Sequence, residues 1–291
     1  MHDTLKRFLI DETDIRGEHV DLSATWKAAL SNVDYPPPVR EVLGKLMAAS
    51  LLLTGTLKFQ GSLKLEARGD GPLTLAVIQA TSAKTVRGLA HWQGPVPVAE
   101  DLRDLLGQEG HFVLTLEPAE EGQRYQGIVG LEGGDVAGVL EDYFARSEQL
   151  PTRLWLAADE NQAGGMLLQR MPERQGDDPD AWNRAVHLAE TVTAGELLSL
   201  PANDLLYRLF HEETVRVFEP ELVNFRCTCT QQKVGDMLRG LGREEVRDIL
   251  AQEDEVRVHC EFCGKAYVFD AVDVEQLFTA TPPGDGSGSR H

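Results

Sequence analysis

The four cysteines of this chain all lie in its last quarter. They form two close pairs, Cys227 with Cys229 and Cys260 with Cys263, and the 226 residues before them contain no cysteine. Tetrahedral zinc prefers soft ligands, and two short-range cysteine pairs joined by a folded connector supply four sulfurs about 2.3 Å from one metal ion. The spacing therefore predicts a single zinc site made of these four side chains.

The second pair, in the sequence Cys-Glu-Phe-Cys-Gly, is the more specific half of this pattern. Gly264 can adopt the turn conformation that lets backbone N–H groups face the sulfurs. The one-residue spacing of Cys227 and Cys229 is less usual, but it allows both sulfurs to bind one metal, or to form a strained disulfide once the metal leaves. His259 is an alternative ligand, but four thiolates already fill the shell, so we interpret it as a flanking strand residue.

The same cysteine spacing also fits two free thiol pairs, a redox centre, or a structural zinc clip in a nucleic-acid-binding module. The formal net charge of −19 argues against nucleic acid and anionic lipid as partners. Residues 227–278 alone carry eleven acidic against six basic side chains. We therefore expect no nucleic-acid partner.

Hydrophobic residues make up 42% of the chain, which is typical of a globular protein. No apolar run has the length of a membrane span, and residues 1–20 mix charges with hydrophobic residues instead of forming a signal peptide. We expect a cytoplasmic protein without a membrane partner, whose cysteines are kept reduced and are therefore available for metal binding or redox sensing.

Residues 1–172 show the mixed periodicity of an α+β domain with a mainly antiparallel sheet. Apolar stripes predict helices over 38–53 and 135–148. The predicted strands are 63–67, 73–78, 86–92, 112–116, 125–129, 153–157 and 166–171. Turn residues at 69–72 and 159–165 predict that the strands on either side of them form hairpins.

Three further segments follow this domain. A turn-rich stretch at 175–180 opens a helical linker, 173–226, whose two apolar stripes should cover the first domain. Residues 227–278 are predicted to form a small zinc-binding domain of two helices and a hairpin, with an apolar stripe on the first helix made of Val234, Met237, Leu238 and Leu241. A unit this short buries little apolar surface, so its folding should depend on the metal. Residues 279–291 are rich in Gly, Ser and Pro and are predicted to be a disordered tail.

Motifs of enzyme active sites are absent from the sequence. It contains no P-loop, no His-Glu-x-x-His, no Gly-x-Ser-x-Gly and no glycine-rich dinucleotide-binding turn. The histidines at 19, 91, 111, 187 and 211 are isolated along the chain, and we interpret them as surface residues or as partly buried residues with hydrogen-bond partners. The sequence therefore predicts a protein that is not an enzyme.

Longer motifs then occur in a fixed order. They are LEDYFARSEQLPT at 140–152, GGMLLQRMP at 164–172, RLFHEE at 208–213, CTC at 227–229, LGREEV at 241–246 and CEFCG at 260–264. This series closely resembles the redox-regulated holdase chaperones of the bacterial thirty-three-kilodalton heat-shock family. The resemblance covers nearly the whole chain and includes all four cysteine positions.

The resemblance implies a chaperone of the oxidative stress response whose C-terminal zinc domain is a redox switch. In the reduced, inactive form, Cys227, Cys229, Cys260 and Cys263 would bind one zinc ion per chain. Oxidation would release the zinc and form the redox-active disulfides Cys227–Cys229 and Cys260–Cys263. The active form, commonly a homodimer, would then hold unfolding or oxidatively damaged client proteins without ATP.

Two other functions compete with this interpretation. One is a constitutive, zinc-stabilised protein-binding module whose activity does not depend on oxidation. The other is a thiol–disulfide oxidoreductase, for which a reactive Cys-x-x-Cys is expected at the start of a helix in a βαβ unit. Here Cys260 and Cys263 fall in a predicted hairpin, which argues against the oxidoreductase.

Overall fold

A computed structural model of the chain describes residues 3–56, 60–99, 101–119, 122–132, 134–172 and 178–279. The chain folds into two compact units that separate between Arg226 and Cys227. Two predictions concern residues outside the described ranges. These are the disordered tail at 279–291, of which only Thr279 is described, and the first half of the turn at 175–180.

The first unit is built on two antiparallel sheets. Its described strands are β1 (Thr4–Ile10), β2 (Ile15–Leu22), β3 (Gly61–Arg68), β4 (Leu73–Thr81), β5 (Thr85–Trp92), β6 (His111–Pro118), β7 (Tyr125–Gly130), β8 (Thr152–Ala158), β9 (Ala163–Arg170), β10 (Val215–Val217), β11 (Glu221–Leu222) and β12 (Asn224–Phe225). Sheet A has the order β10-β1-β2-β9-β8, with β11 also paired to β1, and sheet B has the order β12-β5-β4-β3-β6-β7. Among the described pairings only β12 with β5 is parallel.

The helices of this unit have apolar residues at helical spacing, and three of those described begin with a side-chain cap. They are α1 (Ala24–Leu30), α2 (Pro37–Thr56), α3 (Leu102–Leu106), α4 (Val136–Tyr143), α5 (Ala181–Ala189), α6 (Ala194–Ser199) and α7 (Ala202–Phe210). Helix α2 contacts strands of both sheets and is buried around most of its surface, so it forms the centre of the main core. From Val42 onward nearly every residue of α2 is buried, so its buried surface is wider than the single stripe expected from the sequence.

The mixed α+β class is confirmed, with sheets in the N-terminal region and helices in the middle. Both predicted hairpins are present, as β3 with β4 and β8 with β9. The turn predicted at 159–165 is too long, because β9 already begins at Ala163. The helix predicted at 135–148 changes at Phe144 into a π-helical turn, Phe144–Glu148, and Gln149 follows it with a φ of +54°.

The helices that follow the main domain cover the outer face of sheet A, as the apolar stripes predicted. Buried residues of α5, α6 and α7 form one cluster with residues of β1, β2, β8 and β9. At its centre the ring of Phe8 packs over Gly17 and lies 6.2 Å from the ring of Phe210. Any side chain at Gly17 would occupy the space of the Phe8 ring, so glycine is required there.

The helical description of 173–226 is wrong over its last residues. Strands β10 and β11 add to the edge of β1, and β12 adds to the edge of β5. These strands have two or three residues each, which is too short for a periodic pattern to reveal. The edges that they pair with, and not their own sequences, determine their conformation.

The second unit is small and has its own core. Its elements are α8 (Gln231–Leu241), α9 (Arg243–Glu253), β13 (Val256–His259), β14 (Ala266–Phe269) and α10 (Ala271–Thr279). The two helices and the hairpin were predicted, whereas α10 was not. Met237 and Leu241, which were assigned to the apolar stripe of α8, are both about half exposed. The core of this unit therefore consists of few residues.

No helix among the described residues combines the length and the apolar character needed to cross a membrane.

Candidate metal centre

Cys227 and Cys229 lie immediately before α8. Thr230 caps this helix by accepting a hydrogen bond from Lys233 N to its Oγ1 atom, at 3.2 Å. The Lys233 ammonium group folds back and donates to the Thr228 carbonyl oxygen at 3.0 Å. The helix start therefore fixes the short Cys-Thr-Cys segment on both sides of Thr228, and its dipole favours negative charge on the nearby sulfurs.

Cys260 and Cys263 lie in the tight turn between β13 and β14. The backbone of Cys260 pairs with that of Lys265 at 2.9 Å, and Gly264 N donates to the Cys260 carbonyl at 2.7 Å. Gly264 has a φ of +66°, in the left-handed region that glycine adopts readily, which agrees with the turn conformation expected of it. Backbone N–H groups of Phe262 and Cys263 donate to the Cys260 sulfur, as expected for a knuckle that presents sulfur ligands.

The four sulfur atoms lie together in one cluster. All of them lie within 4.8 Å of one another, and each side chain is partly buried. The Cys227 and Cys260 sulfurs are 3.6 Å apart, and those of Cys229 and Cys263 are 3.4 Å apart. A tetrahedral ion with four sulfur ligands at about 2.3 Å places those sulfurs about 3.8 Å from one another. The cluster therefore has the size and the ligand type to hold one metal ion.

The thiols of the cluster influence one another strongly. Burial raises the pKa of Cys263 to about 12 and also raises the pKa of Cys260. Burial acts in the same direction on Cys229, but hydrogen bonds from Tyr267 and from the neighbouring thiols outweigh it and lower its pKa to about 7. Four thiolates this close repel one another, so a bound cation is needed to hold all four in the ionised form.

Tyr267, in β14, is a residue of this site that the sequence analysis missed. Its hydroxyl donates to the Cys229 sulfur at 3.1 Å, and this bond raises the pKa of Tyr267 above its usual value. The ammonium group of Lys265 lies over the same ring, 4.9 Å from its centroid. A tyrosine in an ordinary apolar strand pattern gives no sequence signal for such a role. Only the register of β13 and β14 brings it to the sulfur.

Replacing Tyr267 with Phe is expected to weaken binding of Zn²⁺, used as a probe ion, by about tenfold or more. The change keeps the buried ring and removes only the O–H···S hydrogen bond, and outer-shell hydrogen bonds contribute about 10–100-fold to metal affinity. Chelator competition measures the effect. Tyr207→Phe, at an exposed tyrosine in the first unit, is the matched control. Equal affinities for Y267F and wild type would show that the Tyr267 hydroxyl does not support the site.

His259 is the last residue of β13, is exposed, and does not belong to the cluster. No other group of three or more His, Cys, Asp or Glu side chains close enough to share an ion occurs in the described ranges. His19 differs from the expectation for isolated histidines. It is completely buried in β2, neither ring nitrogen makes a hydrogen bond within the described structure, and burial lowers its pKa to about 4.

Comparison with known proteins agrees with this architecture. The family model described as Hsp33 protein matches residues 3–270. The chain is 50% identical over 288 residues to the 33 kDa chaperonin of Cronobacter sakazakii, covering 98% of each. It is 50% identical over 289 residues to the 33 kDa chaperonin of Nitrosococcus oceani, covering 99% of each.

A solved structure has the same fold. The crystal structure of the 33 kDa chaperonin from Thermotoga maritima, a heat shock protein 33 homologue, superposes with a TM-score of 0.82 at 24% sequence identity. The match covers 95% of this chain and 98% of the other.

Proposed function

The chain belongs to the Hsp33 family, and from the geometry of its cysteine cluster we propose that it is a redox-regulated, ATP-independent chaperone. Its clients would be unfolding and oxidatively damaged proteins. The observation that carries the proposal is the arrangement of the four sulfurs, all within 4.8 Å of one another in a unit with a small core. Curated relatives named 33 kDa chaperonin support a chaperone activity.

We propose that Cys227, Cys229, Cys260 and Cys263 hold one zinc ion in the reduced protein. The donor set consists of sulfur alone, which zinc accepts readily, and the sulfur separations suit a tetrahedron. When bound, the ion keeps the sulfurs as thiolates and contributes about 10 kcal/mol or more to folding in comparable small domains. The rest of the switch follows from the protein's own residues.

An oxidant of the peroxide class would react with each cysteine pair in two steps. One thiolate attacks a peroxide oxygen, the O–O bond breaks, and a sulfenic acid and hydroxide form. The second thiolate attacks that sulfur, the S–O bond breaks, and a disulfide and a second hydroxide form. Formation of each disulfide thus transfers two electrons from a thiolate pair to one peroxide, so full oxidation consumes two peroxides and removes all four thiolate ligands.

We propose the pairing Cys227–Cys229 and Cys260–Cys263. In the folded cluster the shortest separations join the two motifs, Cys227 to Cys260 and Cys229 to Cys263. Pairing within each motif closes loops of only a few residues, and the cost of closing a loop grows with its length. Once the unit loosens, this pairing has the smaller entropic cost because it does not require the two motifs to stay together.

Loss of the ion would remove the main support of the second unit. Among its described residues, the buried apolar set comprises only Val234, Leu238, Val246, Val256, Tyr267, Phe269 and Val274. A core this small gives little stability of its own. We assign residues 227–278 the role of the switch, residues 173–226 that of a linker, and residues 1–172 that of the stable domain.

The client surface is proposed to lie beneath the linker helices. Helices α5 to α7 cover an apolar face of sheet A that contains Phe8, Ile10, Met166 and Leu168. If unfolding of the switch loosens these helices, both that face and their own apolar residues become exposed. Exposed apolar patches of this kind bind apolar segments of other proteins.

The oxidoreductase alternative has no support in the hairpin geometry. Cys260 and Cys263 lie between two short antiparallel strands, not at the start of a helix in a βαβ unit. The location and the oligomeric state are also proposed. We propose a cytoplasmic location, since reduced cysteines persist there, and a homodimer as the active form.

Protein purified under reducing conditions is expected to contain one zinc per chain with four sulfur ligands. Metal analysis and X-ray absorption spectroscopy measure the stoichiometry and the shell. His259→Ala is the matched control and should keep the full zinc content, because His259 lies outside the cluster. Protein without zinc, or a shell that contains a histidine nitrogen, would contradict the assignment.

A further inference from the structure

The linker's own strands, β10 and β11, occupy the outer edge of β1. Phe218 N donates to the Arg7 carbonyl oxygen and Asp11 N donates to the Thr214 carbonyl oxygen, both at 2.9 Å. The inner edge of β1 pairs along its whole length with β2. Departure of the linker would therefore leave unpaired main-chain donors and acceptors along the outer edge of β1.

Strands β10 and β11 hold this edge only loosely. They have three and two residues, and the side chains of Val217, Phe218 and Leu222 are exposed. In the chain they lie between α7 and Cys227, the first cysteine of the proposed switch. Loss of structure in the second unit therefore reaches these strands before it reaches α5 to α7.

The linker strands also show which side chains fit beside β1. Val215 lies opposite Ile10, and Val217 lies opposite Phe8. Side chains alternate along a strand, so both valines lie on the face of sheet A that carries the apolar cluster beneath α5 to α7. The edge therefore accepts an extended segment whose apolar residues are two positions apart.

Charges favour one direction for a strand at this edge. Asp11, just after β1, pairs with Arg216 at 2.9 Å, and Arg7, within β1, pairs with Glu221 at 3.2 Å. Departure of the linker breaks both pairs and leaves an acidic group near one end of the edge and a basic group toward the other. A segment with a basic residue before an acidic one is complementary to this edge in the antiparallel direction.

We propose that, in the oxidised protein, an extended segment of the client replaces β10 and β11 at the outer edge of β1 and pairs with it in the antiparallel direction. This inference rests on the proposed chaperone function and names its substrate class, extended segments with apolar residues two positions apart. Partly folded proteins expose such unpaired strands and apolar surface. Main-chain hydrogen bonds supply the affinity in strand addition, so many different sequences are accepted.

A synthetic peptide with residues 213–222 of this chain is the probe, and fluorescence anisotropy measures its binding to the full-length protein. Ladder contacts alternate, so the N–H groups of Arg216 and Phe218 face β1, whereas those of Val215 and Val217 face away from it. Methylation of the first two nitrogens removes the hydrogen bonds to β1. Methylation of the other two nitrogens is the matched control.

The oxidised protein should bind the unmodified peptide at least about tenfold more tightly than the reduced, zinc-loaded protein, whose own strands occupy the edge. Methylation at Arg216 and Phe218 should weaken binding to the oxidised form at least about tenfold, because two hydrogen bonds are lost. Methylation at Val215 and Val217 should change it less than about threefold. Exchanging the peptide's charges, by Arg216→Glu with Glu221→Arg, should weaken binding at least about threefold.

Arg216→Pro in the full-length chain should open the edge without an oxidant, because proline lacks the N–H group that faces β1. The reduced, zinc-loaded variant should bind the peptide at least about tenfold more tightly than reduced wild type does. Arg216→Ala keeps the N–H group and is the matched control, which should stay within about threefold of reduced wild type.

Equal affinity of the oxidised protein for the two methylated peptides, or no gain in affinity for the reduced R216P variant, would overturn the proposal. A charge-exchanged peptide that binds like the original would also overturn it. At saturation the unmodified peptide should suppress client protection by the oxidised protein, and the peptide methylated at Arg216 and Phe218 should not. Undiminished protection would overturn the proposal and leave the chaperone function standing, whereas oxidised protein that protects no client would overturn the chaperone function itself.

Discussion

Removal of the metal from the reduced protein is expected to raise amide hydrogen exchange across residues 227–279 by at least about a thousandfold, or ~4 kcal/mol. The second unit has a small core, and Cys229 and Cys260 are themselves packed against it. The cysteine cluster connects the start of α8 to the β13–β14 turn, so without the ion its four thiols lose their shared partner. The loss is within the ~10 kcal/mol that zinc supplies to comparable domains.

Hydrogen exchange with and without a chelator, under non-oxidising conditions, measures this loss. Strands β3 to β6 of the first unit serve as the internal control and should keep their protection, since their core is separate. Helices α5 to α7 should show a smaller increase, because they keep their contacts with sheet A. Zinc addition should restore the original pattern. Equal protection of residues 227–279 with and without metal would show that the ion is not structural.

Much of the cysteine unit could be predicted because its signals are local. The spacing of Cys260, Cys263 and Gly264 depends on one turn, and the apolar spacing in α8 and α9 depends on single helices. Met237 and Leu241 were misassigned because their burial depends on a second element and not on the helix alone. Periodicity identifies an apolar face, but it does not show whether a neighbouring element covers that face. In this small unit both side chains remain about half exposed.

The features that could not be predicted depend on distant parts of the chain. Strands β1 and β2 mix charged and apolar residues, and both faces of sheet A are covered, one by α2 and the other by α5 to α7. The alternation of a half-exposed strand is therefore blurred. Strands β10 to β12 depend on the edges of β1 and β5, and Tyr267 reaches Cys229 only through tertiary structure.

Oxidation is expected to raise the protection of clients at least about tenfold. Before oxidation, conformations in which α5 to α7 leave the client surface exposed would be minor states, populated at about 0.1–10%. A switch that keeps this surface exposed therefore raises its exposed fraction at least about tenfold. If oxidation merely damaged a structural clip, client protection would fall or stay constant. The oxidisable cysteines all lie in the second unit, and the described residues of the first unit contain no cysteine. This separation favours a mechanism in which oxidation exposes a binding surface on the first unit.

Replacing Cys260 and Cys263 with Ser provides the matched variant for this prediction. The double change removes two of the four sulfurs, so zinc binding and the second disulfide are lost together. Activity of the variant should no longer respond to oxidant, because the metal-dependent support is already absent. A variant that still requires oxidation for activity would show that the switch lies elsewhere.

Redox control of the chaperone is measured by light scattering of a thermally unfolding client in the presence of reduced or peroxide-treated protein, with released zinc followed by a chromogenic chelator in the same samples. Zinc release and suppression of aggregation are expected to rise together, and both should reverse after reduction with zinc resupplied. A reduced, zinc-loaded protein that protects the client as well as the oxidised form does would contradict this expectation and identify a constitutive, zinc-stabilised binding module.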